Sequence, residues 1–150
     1  MTEIYYQLGD GTNTLTFVLE SIDVTKSRDT WEMNFPYVQY PFLTDQISTH
    51  VEITLNAKLK PGTSRPYATA KLAITALDAL TGASFSSGWT LKGGDWDGAA
   101  WSYNSNYPYE FGAGSEKLLI SMVRHNMKAG ESYDTGEISA IITLKLGSVY

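Results

Sequence analysis

The chain has 150 residues, no cysteine, and a formal charge of −5 from 11 basic and 16 acidic side chains. A length like this suits one domain that can bury a core without staples, and the lack of cysteine excludes disulfides, thiolate metal sites and cysteine nucleophiles. The acidic balance argues against a nucleic-acid grip, which needs Lys and Arg to neutralise phosphates, and no apolar run approaches the length of a spanning helix.

Met1 is followed by Thr2-Glu3-Ile4, with neither a basic nor an apolar leader, so synthesis in the cytoplasm without a signal peptide is the expectation. A mature exported protein given a new start Met would read the same way. Ten Tyr, five Phe and four Trp stand beside only 18% charged residues, which fits a β-rich protein with sizeable interaction surfaces.

Ile4, Tyr6 and Leu8 alternate with Tyr5 and Gln7, and Gly9-Asp10-Gly11-Thr12-Asn13 reads as a turn. Leu15, Phe17 and Leu19 then alternate with Thr16 and Val18, completing an opening hairpin. Residues 25–50 show no clear period and hold Trp31, Phe35, Pro36, Tyr37, Tyr40, Pro41 and Phe42. A stretch this long exceeds an ordinary connection, so it is a functional arm, contains irregular strands, or is a loop folded back on its own domain. From Val51 to Leu59 a regular alternation with Glu52, Thr54, Asn56 and Lys58 predicts a strand with one buried and one wet face, ended by Pro61-Gly62.

The spacing predicts a helix over about 66–81. Thr63 or Ser64 would cap it, Pro66 would sit in its first turn, and Gly82 would close it. Ala70, Ala73, Ile74, Leu77 and Leu80 then share one face, with Lys71, Thr75 and Asp78 opposite. A strand alternating at Ala68, Ala70, Leu72 and Ile74 is the competing reading; length and alanine content favour the helix. Residues 85–91 contain a strand, Gly93 to Gly98 is turn-like, Leu118 to Val123 is strand-like, Lys128 to Glu131 is a turn, and Ile138 to Leu146 is a final alternating strand. The fold class expected is α+β, mainly β: a single domain (1–150), an antiparallel β-sandwich or small barrel with one flanking helix.

No constellation for catalysis stands out. His50 and His125 have no partner His at metal-motif spacing. Gly112-Ala113-Gly114-Ser115 does not form a nucleophile elbow, and no phosphate-cradling glycine motif is present. Asp95 and Asp97 flank Trp96, with Glu110 and Glu116 further on. Paired carboxylates suit a glycosidase or a calcium turn, yet a solvated turn whose Asp residues fix the backbone is the commoner outcome. The expectation is a non-enzyme with no cofactor and no metal. The densest local feature is aromatic: Trp96, Trp101, Tyr103, Tyr107, Tyr109 and Phe111 in a short polar stretch. With Asp95 and Asp97, these rings would stack on sugars, anchor a subunit interface, or form a small core under a loop.

The order of elements resembles that of the tail-tube proteins of tailed phages and archaeal viruses and their relatives in contractile injection systems. It rests on the hairpin at Leu8-Gly9-Asp10-Gly11-Thr12, the long aromatic stretch, a regular strand, a helix, and the closing Ala129-Gly130-Glu131 and Ile138 to Gly147. The resemblance implies a β-sandwich with a flanking helix that forms rings, commonly six-fold, stacked into a hollow virion tail tube. Assembly would take place in the host cytoplasm. Partners would be further copies of itself and other tail proteins, with double-stranded DNA only as passing cargo and no membrane. Residues 25–50 would reach the neighbouring ring, placing Trp31, Phe35, Tyr37, Tyr40 and Phe42 at a subunit contact. Ala129-Gly130-Glu131-Ser132-Tyr133 followed by Ile138 to Leu146 also resembles the last strands of chaperone–usher pilins, which would place the protein on an extracellular surface with Thr2 to Leu8 as donor strand. A carbohydrate-binding module built on Asp95, Trp96, Asp97, Trp101, Tyr103 and Tyr107 is the third expectation.

Overall fold

The computed structural model describes residues 3–33, 42–82, 88–114, 116–127 and 136–147. Within them lie seven strands, β1 (Glu3–Gly9), β2 (Thr14–Met33), β3 (Phe42–Leu59), β4 (Thr90–Trp96), β5 (Trp101–Tyr103), β6 (Lys117–Met127) and β7 (Ile138–Gly147), and one helix, α1 (Ala70–Gly82). The protein is therefore α+β and mainly β, with every strand pairing antiparallel.

The strand order is β5-β4-β1-β2-β3-β7-β6. One hairpin turn and one pair of matching alternations explain the middle of it. Asp10 Oδ1 accepts hydrogen bonds from the backbone of Thr12 (2.9 Å) and Asn13 (2.7 Å), folding β2 back on β1. The alternation in β3 and β7 then matches them face to face, from Val51↔Leu146 to Leu59↔Ile138. β2 is shared between two half-sheets. Thr14 to Phe17 pair with β1, whereas Val18 to Met33 pair with β3, and a register shift between Leu19 and Ser21 marks the crossing. Bulges of this kind bend a strand and sharpen its twist, which is how strands turn corners between packed sheets.

The two halves close against each other. Trp89, just before β4, exchanges two backbone hydrogen bonds with Leu118 in β6 (2.8 and 3.1 Å). Gly112 makes room for this contact: its φ is +83°, and a Cβ there would run into the Trp89 carbonyl. The enclosed core holds Leu8, Leu15, Phe17, Ile53, Leu55, Trp89, Leu118, Ile142 and Leu144, all essentially without solvent contact.

α1 packs chiefly on β6. Ala70, Ala73, Leu77 and Leu80 are its buried face, while Lys71, Leu72, Thr75 and Asp78 face solvent. This rules out the strand reading of 63–82. The helix nevertheless starts at Ala70, not near 66, because Thr69 is the cap: its Oγ1 accepts from Leu72 N at 3.3 Å. Thr63, Ser64 and Pro66 lie instead in a loop tied at Gly62 N to Tyr67 O (3.0 Å) and from the backbone of Thr16 to the Tyr67 hydroxyl (3.2 Å).

Two further expectations change. Gly93 to Trp96 is strand, not turn, because the glycines face rings that fill the space of absent side chains. Residues 25–33 and 42–50 are also strand, despite their lack of period. A second register shift falls between Arg28 and Asp29, and such an irregularity interrupts the alternation that marks a strand. The turn expected at 128–131 and residues 85–87 lie outside the described residues.

Leu77 and Leu72 sit on opposite faces of one helix, which gives a matched test. Leu77→Ala is expected to lower unfolding free energy by about 2–5 kcal/mol, and Leu72→Ala, at an exposed site, to change it by less than about 0.5 kcal/mol. Urea titrations of the two variants check this; equal effects would mean the helix is docked on another face.

Candidate functional site

Two surfaces concern function: the aromatic patch of half-sheet β5-β4-β1 and the free strand edges of half-sheet β2-β3-β7-β6. The rings of the patch are packed down onto their own strands. Trp101 lies against Gly94, where a Cβ would fall 2.5 Å from its ring, and its indole N–H donates to the Tyr5 carbonyl at 2.9 Å. Trp96 donates its indole N–H to the Ser64 carbonyl at 2.7 Å, pinning the 61–69 loop over β1 and β4. Tyr5 is buried below, its ring 6.2 Å from that of Trp96. On the other face Tyr107 packs on Gly93 and near Tyr6, at 6.4 Å between rings.

The carboxylates are tied into the same framework. Asp95 accepts a short hydrogen bond from the Tyr107 hydroxyl and another from Asn104 Nδ2 at 2.9 Å, which together hold its carboxyl below the usual range. Asp97 accepts from the backbones of Ala100 and Ala99, both at 2.8 Å, with the same effect on its acidity. It is thus the turn-fixing Asp, as the commoner reading has it. Tyr103 stays exposed in β5, its hydroxyl donating to Glu110 (2.8 Å) and its ring 5.2 Å from the Lys92 ammonium. Burial, reinforced by the Glu3 carboxylate beside it, pushes the Tyr5 phenol up to about 12, yet among the described residues its hydroxyl makes no hydrogen bond of good geometry, to Glu3 or any other group.

The expected arm residues divide. Trp31 lies in β2 opposite Thr44, and Phe42 opens β3 opposite Met33; Phe35, Tyr37 and Tyr40 lie outside the described residues. Beyond Lys26↔Val51, β2 and β3 pair only with each other, so the segment is a two-stranded ribbon extending past the sheet. His50 sits in β3 opposite Ser27, and His125 Nε2 pairs with Asp78 Oδ1 at 3.0 Å, joining β6 to α1. Among the described residues no group of three or more His, Asp or Glu is placed to hold a metal, and no helix is long and apolar enough to cross a membrane.

The free edges were not marked by any motif. From Val18 onward β2 has β3 on one side and no strand on the other among the described residues. Past Ile120, β6 has β7 on one side and no strand on the other among them. The outward face between these edges is mixed: Asp23, Thr54, Asn56, Ser139, Arg124 and Asn126 lie beside the exposed Met122 and Ile141. A 220 Å³ depression in it is lined by Glu20, Asn56, Arg124, Asn126 and Ser139. A larger, open dish of 560 Å³ lies between Glu110, Gly112, Glu116 and Leu146.

No family model and no curated protein matches this chain. Function is therefore read from the surfaces themselves.

Asp95 carries a pH test. A carboxyl held low in the fold adds stability above its unfolded value and loses it as pH falls through the folded value, hence below about pH 4. Asp95→Asn should lose less stability than the parent between pH 7 and pH 3 in urea titrations, since Asp10 and Asp97 titrate equally in both. Equal losses would show that the Tyr107 and Asn104 bonds do not favour the charged form. For Tyr5→Phe, removing an orphaned buried hydroxyl is expected to raise stability by about 1 kcal/mol; a destabilised variant would mean that the hydroxyl is satisfied in solution.

Proposed function

We propose that the protein is a structural subunit that assembles with copies of itself into rings that stack into a tube, as the tail-tube resemblance implies. The observation that carries this reading is half-sheet β2-β3-β7-β6 with its two unlike free edges, β2 and β6. An unpaired edge is an aggregation hazard unless it is covered or used. Four antiparallel strands are an even number, so β6 of one copy meets β2 of the next running in the opposite direction. The antiparallel ladder therefore continues without interruption, and repetition about an axis closes a ring through unlike surfaces.

The β2–β3 ribbon is the second support. It projects beyond the sheet with both outer edges unpaired among the described residues and carries Trp31 and Phe42, the residue types that anchor interfaces. β1, by contrast, already has β2 on one side and β4 on the other, which favours self-association by free edges over donation of the N-terminal strand in the manner of a pilin. The indole N–H groups of Trp96 and Trp101 are likewise engaged inside the domain, which favours a structural role for those rings over sugar stacking.

Negative-stain electron microscopy of the purified protein over a range of concentrations is expected to show rings or hollow tubes of uniform diameter. The Trp31→Ala, Phe35→Ala double variant is expected to keep its fold by circular dichroism but to fail to stack. Dispersed particles at all concentrations would remove the proposal, and full-length tubes from the double variant would remove the role given to the ribbon.

A further inference from the structure

The outward face of half-sheet β2-β3-β7-β6 is charged asymmetrically. Its rows can be followed across all four strands: Ser21 lies opposite Asn56, Asn56 opposite Ile141, and Ile141 opposite Arg124. The adjacent row runs Asp23, Thr54, Thr143, Met122. From Val18 to Ser27, the β2 end of this face carries Glu20 and Asp23 and no base; Lys26 falls on the opposite face, in the row of the half-buried Val51. The β6 end carries Arg124, and β6 has no acidic residue from Lys117 to Met127.

Among the described residues, Arg124 and Asp23 make no ion pair or side-chain hydrogen bond, and both are exposed. Glu20 is shared: Lys58 reaches it at 3.4 Å and reaches Glu137 at 3.2 Å. Thus one edge offers an acid without a cation and the other a guanidinium without an anion, at matching heights along the strands.

We propose that Arg124 of one copy is the cationic half of the subunit junction and that Asp23 of the next copy, assisted by Glu20, is its anionic half. This inference rests on the ring reading above. Continuing the rows across a β6–β2 junction sets Arg124 beside Ser21 of the next copy, between Glu20 and Asp23. Diagonal neighbours on adjacent strands are about 7–8 Å apart, within reach of a long side chain, and a guanidinium suits a carboxylate in two-pronged geometry. The same arrangement gives the junction a direction. A two-fold pairing of β2 with β2 would bring acids together, and β6 with β6 would bring the arginines together. Only the unlike edges attract, so the charges select ring closure over a dimer.

Charge reversal tests this in the full chain. Arg124→Glu and Asp23→Arg are each expected to raise the concentration needed for assembly at least about fivefold, read by sedimentation velocity. The Asp23→Arg, Arg124→Glu double variant is expected to recover most of the loss, and thermal unfolding of each monomer is expected to be unchanged because both sites are exposed. Assembly of the parent is also expected to weaken between low and high salt. If the parent assembles and either single variant assembles at the parent's concentration, or the double variant does no better than the singles, the junction assignment is overturned while the ring reading stands. If the parent does not assemble, both are overturned.

Discussion

Everything in this fold turns on β2 having only one strand partner at a time. At Phe17 its hydrogen bonds still run to β1; from Val18 they run to β3. A strand can serve a neighbour on each flank at once, as β1 and β3 do, but β2 is paired on one flank at a time, and where its partner changes the seven-stranded sheet divides into two halves that face each other across one core. The bulge near Ser21 supplies the bend, and the Trp89–Leu118 bridge closes the far side. The same change of partner leaves the later part of β2 with an open flank.

The aromatic patch and the free edges are two answers to a single problem, the covering of a sheet. In the β5-β4-β1 half, the chain covers itself: paired glycines in β4 accept Trp101 and Tyr107, and the 61–69 loop lies over Tyr5 under the hold of Trp96. Ser64 takes a left-handed backbone, φ 63°, at the point where its carbonyl meets that indole. A strained residue held by one strong hydrogen bond is what a loop clamped over a sheet would be expected to contain. In the other half, the outer face mixes polar groups with the exposed Met122 and Ile141, and among the described residues its edges have no strand partner.

The strands with regular alternation, β1, β3 from Val51 onward, and β7, were legible in the sequence because a single buried face repeats every second residue. The helix was legible from its apolar spacing, though its start was misplaced because Thr63, Ser64 and Thr69 are all competent caps and only tertiary contacts choose among them. Within β4, only Gly93 to Trp96 reads as a turn, because Gly93-Gly94 normally signals one; nothing local reveals that Trp101 and Tyr107 fill those positions. The ribbon was illegible because its pairing shifts register between Arg28 and Asp29, which interrupts a period of two. Asp23 and Arg124 lie 101 positions apart by their numbering and meet no motif; their relation exists only once four strands have been put in order.

The ribbon has a geometric consequence. Strand edges associate along the hydrogen-bonding direction, across the strands, at about 4.8 Å per strand. The β2–β3 ribbon instead runs along the strands, and from Lys26 to Met33 it extends about 25 Å at the usual rise per residue. The two contact directions are therefore close to perpendicular. In the assembly proposed above, circumference and length would be separate variables: edge chemistry would set how many copies meet around the axis, and ribbon chemistry how firmly one layer grips the next. Sequence change in one could retune stiffness or length without altering bore.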